Sequence, residues 1–529
     1  MTAVPDAGGA PSPAGSSFFR TGSSQSAKHA ALILMASNLL SGVLGLVRTK
    51  YINHIFGASP AIDAYNAAFQ LPDMISYFLV GGVGSATLVT MLTRFREKGD
   101  VEGEDRTLSA VLNAMLAVLA VAIVLAEFLA PLYTRIMFPL FDPERAALCT
   151  KLTRLLLPGQ IFFFAGGVFG ARLLARKIFL YQAVTPLIYT LGIIVGAVTL
   201  SGRIGVYSLP VGVLLGVALG PGLLTAVGAF RNGLHYTPVL SLRHPAFLEW
   251  LRLNLPLMLG FTVGMADKWI LAYFASADVG GISRLTVAKS LFNAPLGVIG
   301  AAAGAASLPF FASLHAQGRE YDFSNSVGRS VSRLLAAGAL VSAWMIALAP
   351  WLLDLFRGGK FHRGDAAETA QYFAIFAVTL GIWSAQGIYA RAFYAAGNAR
   401  TPLIAGTIIT VLSLPVYWGL FQMIGTTGLS YASDIGMTAY TVALAVLLHR
   451  KRLVSLLDLE FGELGRAIVA SVAAYGAAAV LVHLLPPVTS HNGDFWILAA
   501  GTVMWGVVAA GVLLLTKSKL PQQLLRRKA

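Results

Sequence analysis

Residues 107–131 read TLSAVLNAMLAVLAVAIVLAEFLAP, twenty-five positions with one charge, Glu127. About 20 apolar residues wound as a helix cross the roughly 30 Å hydrocarbon core of a bilayer. The spacing predicts a transmembrane helix here, and comparable runs recur along nearly the whole chain. We read about fourteen, near 30–54, 70–93, 107–131, 152–175, 180–201, 206–230, 247–274, 287–312, 328–356, 369–395, 402–423, 428–449, 465–485 and 495–516. The expected fold class is an all-α membrane protein.

Composition agrees. Of 529 residues, 56% are hydrophobic and only 12% charged, against about 25% charged in ordinary soluble domains. Lipid, not polar side chains, covers such a surface. The net charge of +15 does not imply nucleic acid, because the cations sit in short loops instead of one basic module. One cysteine, Cys149, excludes an intramolecular disulfide framework and a cysteine-rich metal site. Residues 1–27 are rich in Gly, Ser, Ala and Pro and read as a disordered tail. They contain no apolar stretch of signal-peptide type.

An even number of spans puts both termini on one side. That side carries 26 Lys and Arg and the other 13, so both termini are expected in the cytoplasm. The chain also echoes itself at an offset of about 217 residues. Ala171-Arg172 precedes Thr185-Pro186-Leu187-Ile188, and Ala390-Arg391 precedes Thr401-Pro402-Leu403-Ile404. The expected organisation is a tail (1–27), an N-lobe of six spans (28–230), a C-lobe of six (231–450), and two further spans with a basic tail (451–529). Six spans is even, so the lobes are parallel repeats about an axis along the membrane normal. Such transporters hold substrate between lobes and rock to alternate access.

Several segments resemble the murein lipid II flippase family (MurJ/MviN). They are Gly42-Val-Leu-Gly-Leu-Val-Arg48, Ile55-Phe-Gly-Ala58, Asp63-Ala64, Phe69-Gln-Leu-Pro72, Pro295-Leu-Gly-Val298 with Leu308-Pro309, Leu355-Phe356 with Gly359-Lys360-Phe361, and Phe393-Tyr394 with Thr401-Pro402. The ordered set covers roughly 35–450. The resemblance implies fourteen helices, two lobes, a central cationic cavity and, as substrate, undecaprenyl-diphosphate bearing the peptidoglycan disaccharide-pentapeptide (lipid II). The chain departs from the family where arginines are expected: Gly42, Ser76 with Tyr77, and Ser290 stand there instead. Of that set Arg48 remains, with Lys289 beside one vacant position. The acid-base pair Asp267-Lys268 looks more like the polysaccharide-repeat flippases of the same superfamily.

Charge inside a membrane costs about 2.5–3.5 kcal/mol on insertion scales, so it faces a cavity or a partner. Arg48, Lys268 and Lys289 are the candidate contacts to a diphosphate, which arginine meets bidentately and lysine as a point charge. The bland alternatives are snorkelling for Arg48 and a structural ion pair for Asp267 or Lys268. Asp63 either pairs with Arg48 as a gate or caps a helix N-terminus. Arg172 and Arg391, at matching places in the two lobes, are candidate gate residues or simple positive-inside anchors. Glu127 and Asp434 are candidate ion-coupling carboxylates or interhelical hydrogen-bonding groups.

No P-loop, His-Glu-x-x-His or Cys/His spacing appears, so neither an enzyme nor a cofactor is expected. The leading reading is a lipid II flippase, with a lipid-linked substrate, membrane lipids and a coupling ion as partners and the lipid tail lying against spans thirteen and fourteen. The alternatives are a flippase for another undecaprenyl-linked oligosaccharide and, from a different class, a non-transporting cell-wall scaffold.

Overall fold

The computed structural model describes residues 27–77, 84–258, 263–304, 307–485 and 491–521. The N-terminal tail up to residue 26 and the terminal cluster Arg526-Arg527-Lys528 lie outside these. Every named element is a helix, and the β-type pairing among the described residues is the isolated bridge Gly358–Phe361.

In chain order, α1 (Ala27–Phe56) leads into a short turn, then α2 (Pro60–Ala68), α3 (Gln70–Ile75) and α4 (Gly84–Glu97). Next come α5 (Val101–Met137), α6 (Pro143–Leu156), α7 (Gly159–Ala175) and α8 (Leu180–Ile204). They are followed by α9 (Ser208–Val217), α10 (Thr225–Arg231), α11 (Pro245–Met258) and α12 (Val263–Ala275). The remainder is α13 (Gly281–Gly304), α14 (Ser307–Ala316), α15 (Glu320–Asp354), α16 (Arg363–Val378), α17 (Leu380–Ala395), α18 (Arg400–Arg450), α19 (Phe461–Leu484) and α20 (His491–Leu515). Local chemistry sets many starts. Asp100 caps α5 by accepting the Gly103 N–H at 2.8 Å, and Asp142 caps α6 through the Arg145 N–H at 2.8 Å.

Among the described residues seven helical segments are long and apolar enough to cross a bilayer, or eight if α16 and α17, bent by 45°, form one span. Two of the seven are 52 and 51 residues long, Leu180–Arg231 and Arg400–Arg450. At 1.5 Å per residue each exceeds 70 Å, more than twice the roughly 30 Å core. Both fold back. Ile204-Gly205 and Ile424-Gly425 break them, with Gly205 at φ 58°, ψ −137° and Gly425 at φ 62°, ψ −146°. In the first hairpin small residues let the arms touch: a Cβ on Gly192 would sit 2.5 Å from the Gly216 Cα, and one on Gly196 2.7 Å from the Gly212 Cα.

The two reversals lie 220 residues apart, and other joints recur at nearly the same offset. Gly99 and Gly318, Lys177 and Gly397, and Gly233 and Arg452 all adopt left-handed φ. Each closes a helix with the same pair of bonds, as in Lys177 N–H to Leu174 O with Ile178 N–H to Leu173 O, and Gly397 N–H to Tyr394 O with Asn398 N–H to Phe393 O. This is a Schellman closure, in which the left-handed residue lets the chain satisfy carbonyls that the helix leaves open. The same backbone conformation thus recurs at this offset whether the residues match, as at Gly99 and Gly318, or differ, as at Lys177 and Gly397.

Packing separates faces by solvent. On α5, Val121, Val124, Leu125, Phe128 and Leu132 form an exposed stripe, while Leu119, Ile123, Ala126 and Ala130 on the other face are buried. An exposed row of this size on an apolar helix faces lipid. One core runs from α2, α6, α8 and α9 through α12 and α13 to α15, α16 and α18. A second joins α4, α5, α7, α10 and α11, and α19 and α20 pack on α15.

The exposed Lys177 holds left-handed φ without a glycine's freedom, a strain of about 1–2 kcal/mol. Lys177→Gly is therefore expected to stabilise the chain by about 1 kcal/mol, read as a higher midpoint of thermal unfolding in detergent, whereas Gly397→Lys lowers it.

Candidate functional site

A cavity of about 290 Å³ lies between helices from both halves of the chain. Its walls follow from helical spacing. Arg48, Thr49, Ile52 and Asn53 recur at one and four residues along α1, and Ser283, Thr286, Val287 and Ser290 at three and four along α13. Asp73 of α3, Tyr189 of α8 and Lys268 of α12 complete the polar lining. A neighbouring cavity of about 360 Å³ shares Lys268, Thr286 and Ser290, and adds Asp267, Lys289, Asn293 and Trp383. The two adjoin along α12 and α13. Arg48 lines the first, Lys289 the second and Lys268 both, and Ser290, at the place where an arginine was expected, also lines both.

Each cation is held differently. Arg48 is half-buried and has no carboxylate within ion-pair distance among the described residues. Lys268 pairs with Asp73 across from α12 to α3, and both side chains keep substantial solvent exposure. Lys289 is deeper. Its Nζ lies 3.0 Å from Asp267 Oδ2, donates to Ser433 Oγ at 2.8 Å, and sits 4.0 Å and 4.5 Å from the ring centroids of Phe376 and Trp383. Ring faces stabilise a desolvated ammonium. The Tyr417 hydroxyl donates to Asp267 Oδ1 at 2.5 Å. Beside this cluster Asp434 accepts the Thr379 hydroxyl at 2.6 Å. Asn53 Nδ2 and Trp383 Nε1, both buried at cavity-lining residues, have no protein acceptor. They are donors that an anion or water can use.

Asp63 is fully buried and meets backbone instead of Arg48. Its carboxylate accepts Gly280 N–H at 2.5 Å and Ser283 N–H at 2.8 Å, so α2 of the first half caps α13 of the second. A carboxylate at a helix N-terminus is favoured by the free N–H groups and the dipole. Other bonds between the halves gather at the same end. Lys360 N–H donates to His54 O at 3.0 Å, and left-handed Gly57 and Gly359 allow the two loops to touch. Arg284 reinforces the second half there, at 2.8 Å from Asp278, 3.3 Å from Asp365 and 3.0 Å from Glu368. This end is sealed.

The remaining candidates lie elsewhere. Arg172 is fully buried within the first half, 2.9 Å from Asp105, with further bonds to the carbonyls of Ala229 (3.2 Å), Asn232 (3.2 Å) and Gly233 (2.7 Å). These carbonyls end α10, so the guanidinium pins that helix terminus. Arg391 is half-buried on α17 with no carboxylate within ion-pair distance among the described residues, and it does not meet Arg172. Glu127 lies apart from the cavities, 3.9 Å from Arg154.

Comparison with known proteins points one way. The model of a family described as "Lipid II flippase MurJ" matches residues 52–504. A lipid II flippase MurJ of Burkholderia cenocepacia is 27% identical over 441 residues, covering 80% of this chain and 84% of that one. A probable lipid II flippase MurJ of Borreliella burgdorferi is 22% identical over 437 residues, covering 81% and 85%. Among solved structures, a lipid II flippase MurJ in an inward closed conformation superposes with a TM-score of 0.76 at 20% identity, covering 94% of this chain and all of that one. An inward-facing multidrug resistance MATE family transporter of the MOP superfamily gives 0.65 at 15% identity, covering 81% and 99%.

Removing one member of a buried ion pair strands the other charge at a cost of about 3–5 kcal/mol, whereas replacing both with apolar groups is often neutral. Asp267→Leu is expected to lower the unfolding midpoint in detergent strongly, and Asp267→Leu with Lys289→Met to restore most of it. Equal losses in single and double variants would show that the pair does not act as a unit.

Proposed function

Given that the chain belongs to the MurJ lipid II flippase family, we propose that it carries lipid II from the inner to the outer leaflet by alternating access, without catalysing a reaction. The observation that carries this reading is the pair of adjoining polar cavities lined by Arg48, Lys268 and Lys289. A scaffold would have no use for a lined cavity of this charge.

The two six-span lobes, 28–230 and 231–450, are the rocking units, with the termini in the cytoplasm. The sealed Gly57–Lys360 end then faces outward. Arg48 is the free guanidinium and meets the diphosphate first, with two parallel N–H donors. Lys268 is the exchangeable cation. Its exposed bridge to Asp73 is worth little in water, so a diphosphate competes for the ammonium. Lys289 is a fixed contributor, held by Asp267 and two rings, that raises the positive potential of the second cavity. Asp434, buried beside this cluster, is the candidate coupling carboxylate. Asp63 is a gate element because it ties the halves together at the sealed end, and outward opening must break its two bonds to α13.

Complementation tests this. Expressed in a bacterium depleted of its own lipid II flippase, the chain is expected to restore lipid II exposure on the outer leaflet. Arg48→Ala, losing a charge-assisted bidentate contact of about 1.5–3 kcal/mol, is expected to cut that exposure about tenfold or more. A correctly inserted protein that exposes no lipid II, both there and after the same depletion in its own source organism, would overturn the reading.

A further inference from the structure

An apolar cavity larger than either polar one lies beside them. A groove of about 790 Å³ opens on the flank of the bundle, with Met74 of α3, Trp269, Tyr273 and Phe274 of α12, and Leu414 and Trp418 of α18 among its walls. It contains no charged side chain. Thr407, also in the lining, turns its hydroxyl back to Leu403 O at 3.0 Å. Trp418 is 59% exposed, so the groove is open to the side.

Its position matters more than its size. Asp73 and Lys268 line the polar cavity, and the next residue on each helix, Met74 and Trp269, lines the groove. Successive helical residues differ by 1.5 Å in height and about 100° in direction. Cavity and groove thus lie at nearly one depth on adjacent faces of the same two helices. Across the partition α3 and α12 are joined by the Asp73–Lys268 ion pair, and just beyond the end of α3 Tyr77 makes an edge contact with Trp269 at 6.2 Å.

We propose that this groove holds the prenyl chain of the transported lipid, and that the Asp73–Lys268 pair with the Tyr77–Trp269 contact is the seam through which the chain passes. The proposal rests on the flippase reading. A lipid whose diphosphate sits at Arg48 and Lys268 must send its chain out of the polar space at that depth, since a long apolar chain gains by leaving water. The groove is the apolar space directly behind the seam. The latch answers to the ligand itself: a diphosphate that takes Lys268 releases Asp73, so head-group binding loosens the partition the chain must cross. The helices α19 and α20 pack on α15 and contribute no residue to this wall, so the chain site is separate from spans thirteen and fourteen.

A benzophenone side chain at Val411, which lines the groove and is 58% exposed, tests the assignment against one at Val121, 61% exposed on the lipid face of α5. The full chain in phosphatidylglycerol vesicles is irradiated with labelled undecaprenyl diphosphate. Labelling at Val411 is expected to exceed that at Val121 several-fold, and to be displaced by unlabelled undecaprenyl diphosphate but not by added phosphatidylglycerol. Thr410→Trp, which fills the groove, is expected to reduce both labelling at Val411 and lipid II exposure several-fold. Equal labelling at the two positions, or displacement by phosphatidylglycerol, marks the groove as ordinary bilayer contact and overturns the proposal. Groove-specific labelling in a protein that exposes no lipid II supports the site while defeating the flippase reading. Wild-type exposure with unspecific labelling does the reverse.

Discussion

A backbone in hydrocarbon has no water to bond, so every N–H and C=O must find a partner in the protein. That constraint organises this chain. Helices satisfy their own interiors, and the difficulty moves to their ends and reversals, where left-handed residues close the carbonyls. The same closures appear in both halves at an offset of 219 or 220 residues, whether the residue is Gly397 or Lys177, Gly233 or Arg452. Conformation is kept where residue identity is not, because the joint answers to hydrogen bonding and the side chain answers to its neighbours.

Charge obeys a parallel rule with more varied outcomes. Arg172 is locked among two carboxylates, Asp105 and Glu104, and three carbonyls, which suits a rigid element. Lys289 is locked too, but beside a cavity. Lys268 is only latched, and Arg48 is unpaired among the described residues. This gradation from fixed to free separates the cations that hold structure from those available to a ligand.

Much of this was legible in the sequence. Apolar runs of bilayer length announced the helical membrane fold, and charged residues within them stood out against lipid-compatible surroundings. Arg48, Lys268 and Lys289 stood out in that way, and each lines one or both of two adjoining cavities. The rest was hidden for physical reasons. Asp73 lies in the first turn of a helix after Pro72, where an acid is unremarkable, so its bond to Lys268 some 195 residues away left no local trace. Tyr417, Trp383 and Asn53 are neutral and look like any other interior polar or aromatic residue. Asp63 was legible as either a gate or a cap, and what the sequence lacked was that the capped helix belongs to the other half. The two reversals fall between the spans read as 180–201 and 206–230 and as 402–423 and 428–449, but that each needs only an Ile-Gly pair was not legible.

The pairing of cations with acids has an electrical consequence. In formal charge, Arg48, Lys268 and Lys289 against Asp73 and Asp267 leave the empty space with one surplus positive charge. A diphosphate reverses that sign. A field negative on the inside does about 2.3 kcal/mol of work per charge for each 100 mV. It pushes a negative loaded site outward and draws a positive empty one back. A carrier charged in this way is rectified, with both strokes of its cycle running downhill in the same voltage.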